Sequence, residues 1–299
     1  MRLRFLFSLS WPLWPEFHCR IFLHEGEPTA DKTQTERLNM QSYGSLDALP
    51  LWALFIVILL VVLLSVEFGY RLGKYRRSRH ETEKEAPLGT MVGATLGLLA
   101  FILAFTFGLA ASRFDNRRQV LLDEANAIGT TYLRAGMLPE RGQQVRDLLR
   151  DYVAARLETV QPGKLTEGIR RSEDIQQKVW AEAETVGQKN PSSIVVGLFV
   201  QSLNETIDLH AKRVQAGIRS RIPGAIWVGL LTVAVLSLTA LGYFEGLAGT
   251  RRSLAVLAVA VAFSVVIELI ADLDRPQEGV LRVSQQALLD VQRSMNPRR

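Results

Sequence analysis

The sequence predicts an all-α, multi-pass membrane protein with four membrane-spanning helices and a helical extramembrane domain between the second and third. Three observations predict this. Hydrophobic residues make up 48% of the 299-residue chain and gather in four runs almost free of charge, at 48–66, 86–112, 222–244 and 253–271. Each run approaches the length that crosses a hydrocarbon core of roughly 30 Å at about 1.5 Å per helical residue. The long polar segment between the second and third runs repeats its apolar residues at helical spacing, and no alternating strand pattern interrupts it.

The organisation that follows is an N-terminal tail (1–47), spans one and two (48–112), the extramembrane helical domain (113–221), spans three and four (222–271), and an acidic turn with a C-terminal amphipathic helix (272–299). The tail begins MRLRFLFSLSWPLW, a basic start and short apolar run that resembles a signal peptide but lacks a small-residue cleavage pattern. The other reading is a true start at Met40, with residues 1–39 outside the translated protein. Span one ends in Glu67 and a basic run, Arg71, Lys74, Arg76, Arg77 and Arg79. By the positive-inside rule that connection is cytoplasmic, yet Arg113, Arg117 and Arg118 flank the other end of span two, so charge counting leaves the orientation open.

Span two is the most informative element. Gly93, Gly97, Ala104, Gly108 and Ala111 share one helical face, with Phe101 and Phe105 along its edge. Small residues permit close helix packing, whereas in a symmetric oligomer the same face would line a narrow conduit with aromatic rings at its constriction. The helical pattern continues without a break to LPERG near Pro139. Further helices are expected up to Pro162-Gly163, over 166–188 and over 193–219. The short loop at 245–252 predicts spans three and four as an antiparallel pair, and VLRVSQQALLDVQRSM predicts a last amphipathic helix.

Charge and motifs exclude several classes. A net charge of +5, spread around the ends of the spans, reads as headgroup and topology charge, not a nucleic-acid footprint. The single cysteine, Cys19, allows neither an intrachain disulfide nor a cysteine metal cluster. No phosphate-binding glycine loop, nucleophile elbow or metal-ligand histidine spacing occurs, so no catalytic residue, metal or cofactor is expected. His210, one turn after Thr206 and near Asp208 and Arg213, is expected to be satisfied by helix neighbours, the alternative being that it tunes a charge network. Glu268, inside an apolar run, fits either an ion pathway or the membrane interface. Asp272, Asp274 and Arg275 form a compact turn, read as an Asp-Arg network fixing the exit angle of the chain; two carboxylates beside an arginine are too few to specify Ca²⁺. Together with Glu67, Arg113 and Asp115 they make the candidate structural or regulatory charge set.

The segments EFGYRLG, FTFGLAASRFDNRR, RRQVLLDEANAIGTTYLRAGMLP, LHAKRVQAGIRSRIP and DLDRPQEGVLRVSQQALLD resemble the bacterial bestrophin-like domain family, distantly similar to the bestrophin anion channels. The resemblance runs from about 51 to 291. It implies a homo-oligomer, a pentamer around a central pore, in a bacterial inner membrane. Matching Arg113-Phe114 to the family's arginine-aromatic pair places the pore-lining neck on Phe105, Phe101 and Gly97, the last departing from a bulky three-ring neck. The acidic turn is thinner than the calcium clasp of the animal proteins. The resemblance implies a cytoplasmic middle domain, against which the basic loop after span one argues.

The functional expectation is an oligomeric channel passing small anions passively, without a cofactor, its partners being the lipid bilayer and copies of itself. The alternative is a non-conducting membrane sensor or assembly scaffold whose helical domain binds a partner.

Overall fold

In the computed structural model the chain divides into units 1–41 and 42–299. The described residues are 49–79, 85–161, 163–249, 254–275 and 279–296, all in the second unit. The readings of residues 1–47 and of the Met40 start lie outside them. Among the described residues there are eight α-helices and no strand. They are α1 (Leu51–Arg79), α2 (Glu85–Ala135), α3 (Gly142–Glu158), α4 (Leu165–Lys189), α5 (Ile194–Val214), α6 (Gly224–Ala248), α7 (Leu254–Asp274) and α8 (Gln286–Met295). Four of them, α1, α2, α6 and α7, are long and apolar enough to cross a membrane.

α2 has 51 residues and therefore extends about 76 Å. Its first half lies in the spanning bundle and its second half forms the spine of the extramembrane domain. Each half has its own core. Leu54, Ile58, Leu99, Leu103, Leu230 and Ile267 are among those closing the membrane core. Ile128, Leu149, Phe199, Leu203, Leu288 and Met295 are among those closing the extramembrane one.

Within the bundle, the major contacts run α1 to α6, α6 to α2, α2 to α7 and α7 to α1. The expected pairing of α6 with α7 is therefore corrected: among the described residues the two are antiparallel but pack on α1 and α2 instead of on each other. The reason lies in glycines. A Cβ on Gly69 or Gly73 of α1 would strike the α6 backbone at Thr239 and Tyr243, and one on Gly242 or Gly246 would strike α1 at Val66 and Tyr70. Two G-x-x-x-G faces thus bring parallel helices into backbone contact. Arg77 closes the arrangement by lying over Gly249, whose φ of 69° ends α6 in a left-handed cap.

Two further boundaries differ from expectation. The fourth extramembrane helix becomes a π-turn at Gln215–Arg219. The C-terminal helix starts at Gln286, not at 280, because the Asp272 carboxylate accepts the backbone N–H groups of Val280 (2.7 Å) and Leu281 (3.1 Å). Those groups are thereby held in a turn.

Candidate functional site

One face of α2 is buried against its neighbours through Leu99, Leu103, Thr106, Ala110, Arg117 and Leu121. The opposite face is open along its length. A Cβ on Gly93, Gly97 or Gly108 would meet nothing within 4 Å among the described residues, so these glycines do not serve packing between the described helices. Phe101 is 61% exposed and Phe105 68%. Their rings tilt together with centroids 4.8 Å apart, a favourable aromatic geometry that gives the face a compact apolar ridge. Beyond this ridge the open face turns polar through Asp115, Asn116, Arg118 and Gln119, which together with Leu122 line a shallow depression. A second depression follows between α2 and α5, carrying Asp123, Asn126, Thr130, Glu205, Asp208 and Lys212.

Behind this face, where the bundle meets the extramembrane domain, lies a cluster of arginines. The last carbonyls of α7 have no intrahelical donors. Arg117 donates to the carbonyls of Leu273 and Asp274, and Arg221 donates to that of Asp274 at 2.7 Å. Cations are favoured at this end of a helix. The Asp274 carboxylate accepts the Ile222 N–H at 2.9 Å and stands 3.8 Å from Arg221, and α6 begins two residues on at Gly224, after Pro223 at its N-cap. Arg113 joins the same electrostatic neighbourhood.

The seven charged candidates are thus distributed. Arg113 and Asp274 both lie at the junction, within electrostatic reach of each other. Asp272 caps the following turn, and Arg275 is buried beside it. Asp115 sits on the open face of α2. Glu67 pairs with Arg71 at 2.7 Å near the far end of α1, across the membrane bundle. Glu268 is half-buried one turn before Asp272.

Sequence reasoning missed a second polar centre inside the extramembrane domain. Glu124, fully buried on α2, lies 3.0 Å from Arg156 Nε on α3 and 2.6 Å from Arg213 Nη1 on α5. Arg213 also donates to Gln285 at 2.8 Å, which fastens the segment leading into α8. The Tyr152 hydroxyl donates to Glu124 and accepts from Gln176, each at 3.1 Å. Its one proton is spent on Glu124, so the 3.1 Å contact to His210 Nδ1 places the imidazole proton on Nδ1. His210 Nδ1 is therefore partnered from α3, not from its own helix as expected, while its buried Nε2 has no hydrogen-bond partner among the described residues. Burial, reinforced by Arg156, holds its pKa down at about 4, and burial also raises that of Tyr152. The signal available in sequence was spacing: Glu124 falls on the buried stripe of α2 with Leu121, Ala125 and Ile128, where a lone carboxylate requires a cation.

The sequence of residues 51–288 matches the Bestrophin-like domain. The chain belongs to the Bestrophin-like family. Solved structures of a bacterial bestrophin homolog from Klebsiella pneumoniae share the fold of this bestrophin-like chain. One single-substitution variant aligns with a TM-score of 0.62 at 16% identity, covering 85% of this chain and 97% of that one. A second aligns with a TM-score of 0.58 at 16% identity over 83% and 99%, and the structure obtained by Zn-SAD phasing with 0.58 at 17% over 80% and 97%. No curated protein matches the sequence. Among the described residues no group of three or more His, Cys, Asp or Glu is arranged to hold a metal ion.

Proposed function

We propose that this bestrophin-like chain is the subunit of a homo-oligomeric channel in a bacterial inner membrane, passing small anions passively through a conduit lined by α2. The observation that carries the reading is the open face of α2: Gly93, Gly97 and Gly108 meet no other helix among the described residues, while Phe101 and Phe105 stand exposed beside them. A glycine-and-phenylalanine face left bare on a spanning helix is explained by copies arranged around an axis, the pentamer of the family resemblance. In such a ring Phe101 and Phe105 form an apolar constriction and Gly97 a wider step before it. A hydrophobic constriction controls conduction by dewetting, and the positive edges of its aromatic rings favour anions. The reading assigns the chain no catalytic step.

The test is ion flux from liposomes at matched incorporation, comparing the native chain with a Phe101→Ala, Phe105→Ala variant. Removing both rings widens and wets the constriction, so flux is expected to rise on the order of tenfold. Equal, absent flux from two stable oligomers would leave the scaffold reading in its place.

A second reading, conduction of cations, is favoured by one specific observation. The depressions that continue the open face carry Asp115, Asp123, Glu205 and Asp208 against Arg118 and Lys212, an acidic excess that would attract cations in a vestibule. The reversal potential under a KCl gradient decides between the two by its sign.

A further inference from the structure

We infer that the turn at 279–282 is an anchor seated in the bilayer, in which Val280 and Leu281 enter the interfacial layer of the membrane and Arg282 meets its headgroups. The exposed face of α7 runs through Leu257, Val261, Val265 and Leu269, residues four apart. Asp272, three positions on, continues the same stripe. It lies two residues before the end of the 21-residue α7, so at about 1.5 Å per residue it stands about 27 Å from Leu254, on a helix that crosses a hydrocarbon core of roughly 30 Å. Asp272 is therefore at the edge of the apolar layer. Arg117 and Arg221, which donate to the carbonyls at the end of the same helix, mark the polar boundary at that level.

The chain returns to cover this carboxylate. Asp272 accepts the N–H groups of Val280 at 2.7 Å and Leu281 at 3.1 Å, and is left 5% exposed. Gly279 lets the turn close, since a Cβ there would come within 2.4 Å of an Asp272 carboxylate oxygen. Arg282 Nε donates to the Gly279 carbonyl at 2.9 Å, which fixes the turn from its other end. With their N–H groups committed to Asp272, Val280 and Leu281 are held at its depth, yet they remain 84% and 41% exposed. Two branched apolar side chains thus extend the apolar stripe of α7 past its terminal carboxylate. Arg282, exposed beside them, supplies a cation suited to a headgroup phosphate. The occupant that fits is the bilayer, because the turn sits where lipid begins and adds to a face that is apolar along the length of a span. Gln285, just beyond the turn, is held by Arg213, and α8 closes the extramembrane core through Leu288 and Met295. The anchor therefore ties that core to the membrane surface, and it does so whether or not the chain conducts.

The experiment reads what surrounds the turn in the full-length protein in phosphatidylcholine liposomes. On a Cys19→Ser background, a nitroxide label is placed through Val280→Cys, with Val265→Cys on α7 and Lys178→Cys on the exposed face of α4 as references. Power-saturation EPR measures collision of each label with oxygen, which concentrates in lipid, and with a water-soluble nickel chelate. The oxygen-to-chelate ratio at 280 should exceed that at 178 several-fold and approach that at 265. A ratio equal to that at 178 places the turn in water and overturns the anchor. Little collision with either agent makes the turn a contact between copies and overturns it equally. Because the label is itself apolar, a second measurement uses the unlabelled chain: phosphatidylcholine carrying a diazirine at the headgroup end of its acyl chain is photolysed in the liposomes, and adducts are mapped by peptide mass spectrometry. Adducts are expected on the peptide holding Val280 and Leu281, falling several-fold in a Val280→Ser, Leu281→Ser variant that retains both N–H groups for Asp272. Adducts on α7 but none on that peptide, or no fall in the variant, would overturn the anchor.

Discussion

At the scale of single residues, the most consequential groups are those around Glu124. One carboxylate serves two arginines on different helices, and truncating it would leave both cations buried without compensation, a change expected to cost about 3–5 kcal/mol. Substituting Glu124→Ala should therefore abolish stable folding of the extramembrane domain, which a loss of limited-proteolysis resistance would report. His210 makes the same centre sensitive to acid. Its native pKa of about 4 lies below the unfolded value near 6.5, so between these values the unfolded chain binds the extra proton and the native chain does not. Stability from this group is complete above about pH 6.5 and is lost as the pH falls towards 4, by about 2 kcal/mol at pH 5. A His210→Gln variant should flatten the fall in thermal midpoint between pH 7.5 and pH 5. An unchanged fall would assign the acid lability to other groups. The sequence made the apolar partners of this centre legible through their spacing, but it could not reveal that Glu124, Tyr152, Arg213 and Gln285, whose direct contacts bridge 28, 72 and 89 positions, converge on one point.

At the scale of elements, the two sets of glycines illustrate why a local pattern underdetermines its use. The small-residue face of α2 and the G-x-x-x-G faces of α1 and α6 look alike in sequence. In the fold Gly73 and Gly246 support backbone contact, whereas Gly97 has nothing opposite it. The existence of four spans was legible because hydrocarbon thickness and helical rise set the least length that crosses, and the neighbours of each helix were not, because the short α6–α7 loop constrains direction without dictating packing. The difference is measurable. A Gly246→Leu variant must push α6 from α1 and should lose its folded bundle, while Gly97→Ala adds a methyl group to open space in a helix interior and should hold or slightly raise the thermal midpoint of the subunit. Equal damage from both would mean that the α2 face packs within the subunit after all.

At the scale of the whole molecule, the chain holds two cores formed in different solvents, one buried against lipid and one against water. The long α2 connects them as a rod. The junction beside it connects them by charge: the end of α7 is closed by Arg117 from α2 and Arg221 from the entry to α6, with Asp274 binding the Ile222 N–H. The two contributions of Asp274 can be separated. An Asp274→Asn variant keeps an oxygen to accept from Ile222 but removes the carboxylate charge 3.8 Å from Arg221; with Arg221 partly exposed, the loss should be about 1–2 kcal/mol. An Asp274→Ala variant also leaves the Ile222 N–H without its acceptor, adding about 1 kcal/mol or more. The thermal midpoints in detergent should therefore fall in the order native, Asn, Ala, and hydrogen exchange at Ile222 should accelerate in the Ala variant well beyond the Asn one. Three equal midpoints would show that the charged junction is not what joins the membrane bundle to the extramembrane domain, and that the continuity of α2 alone transmits strain between them.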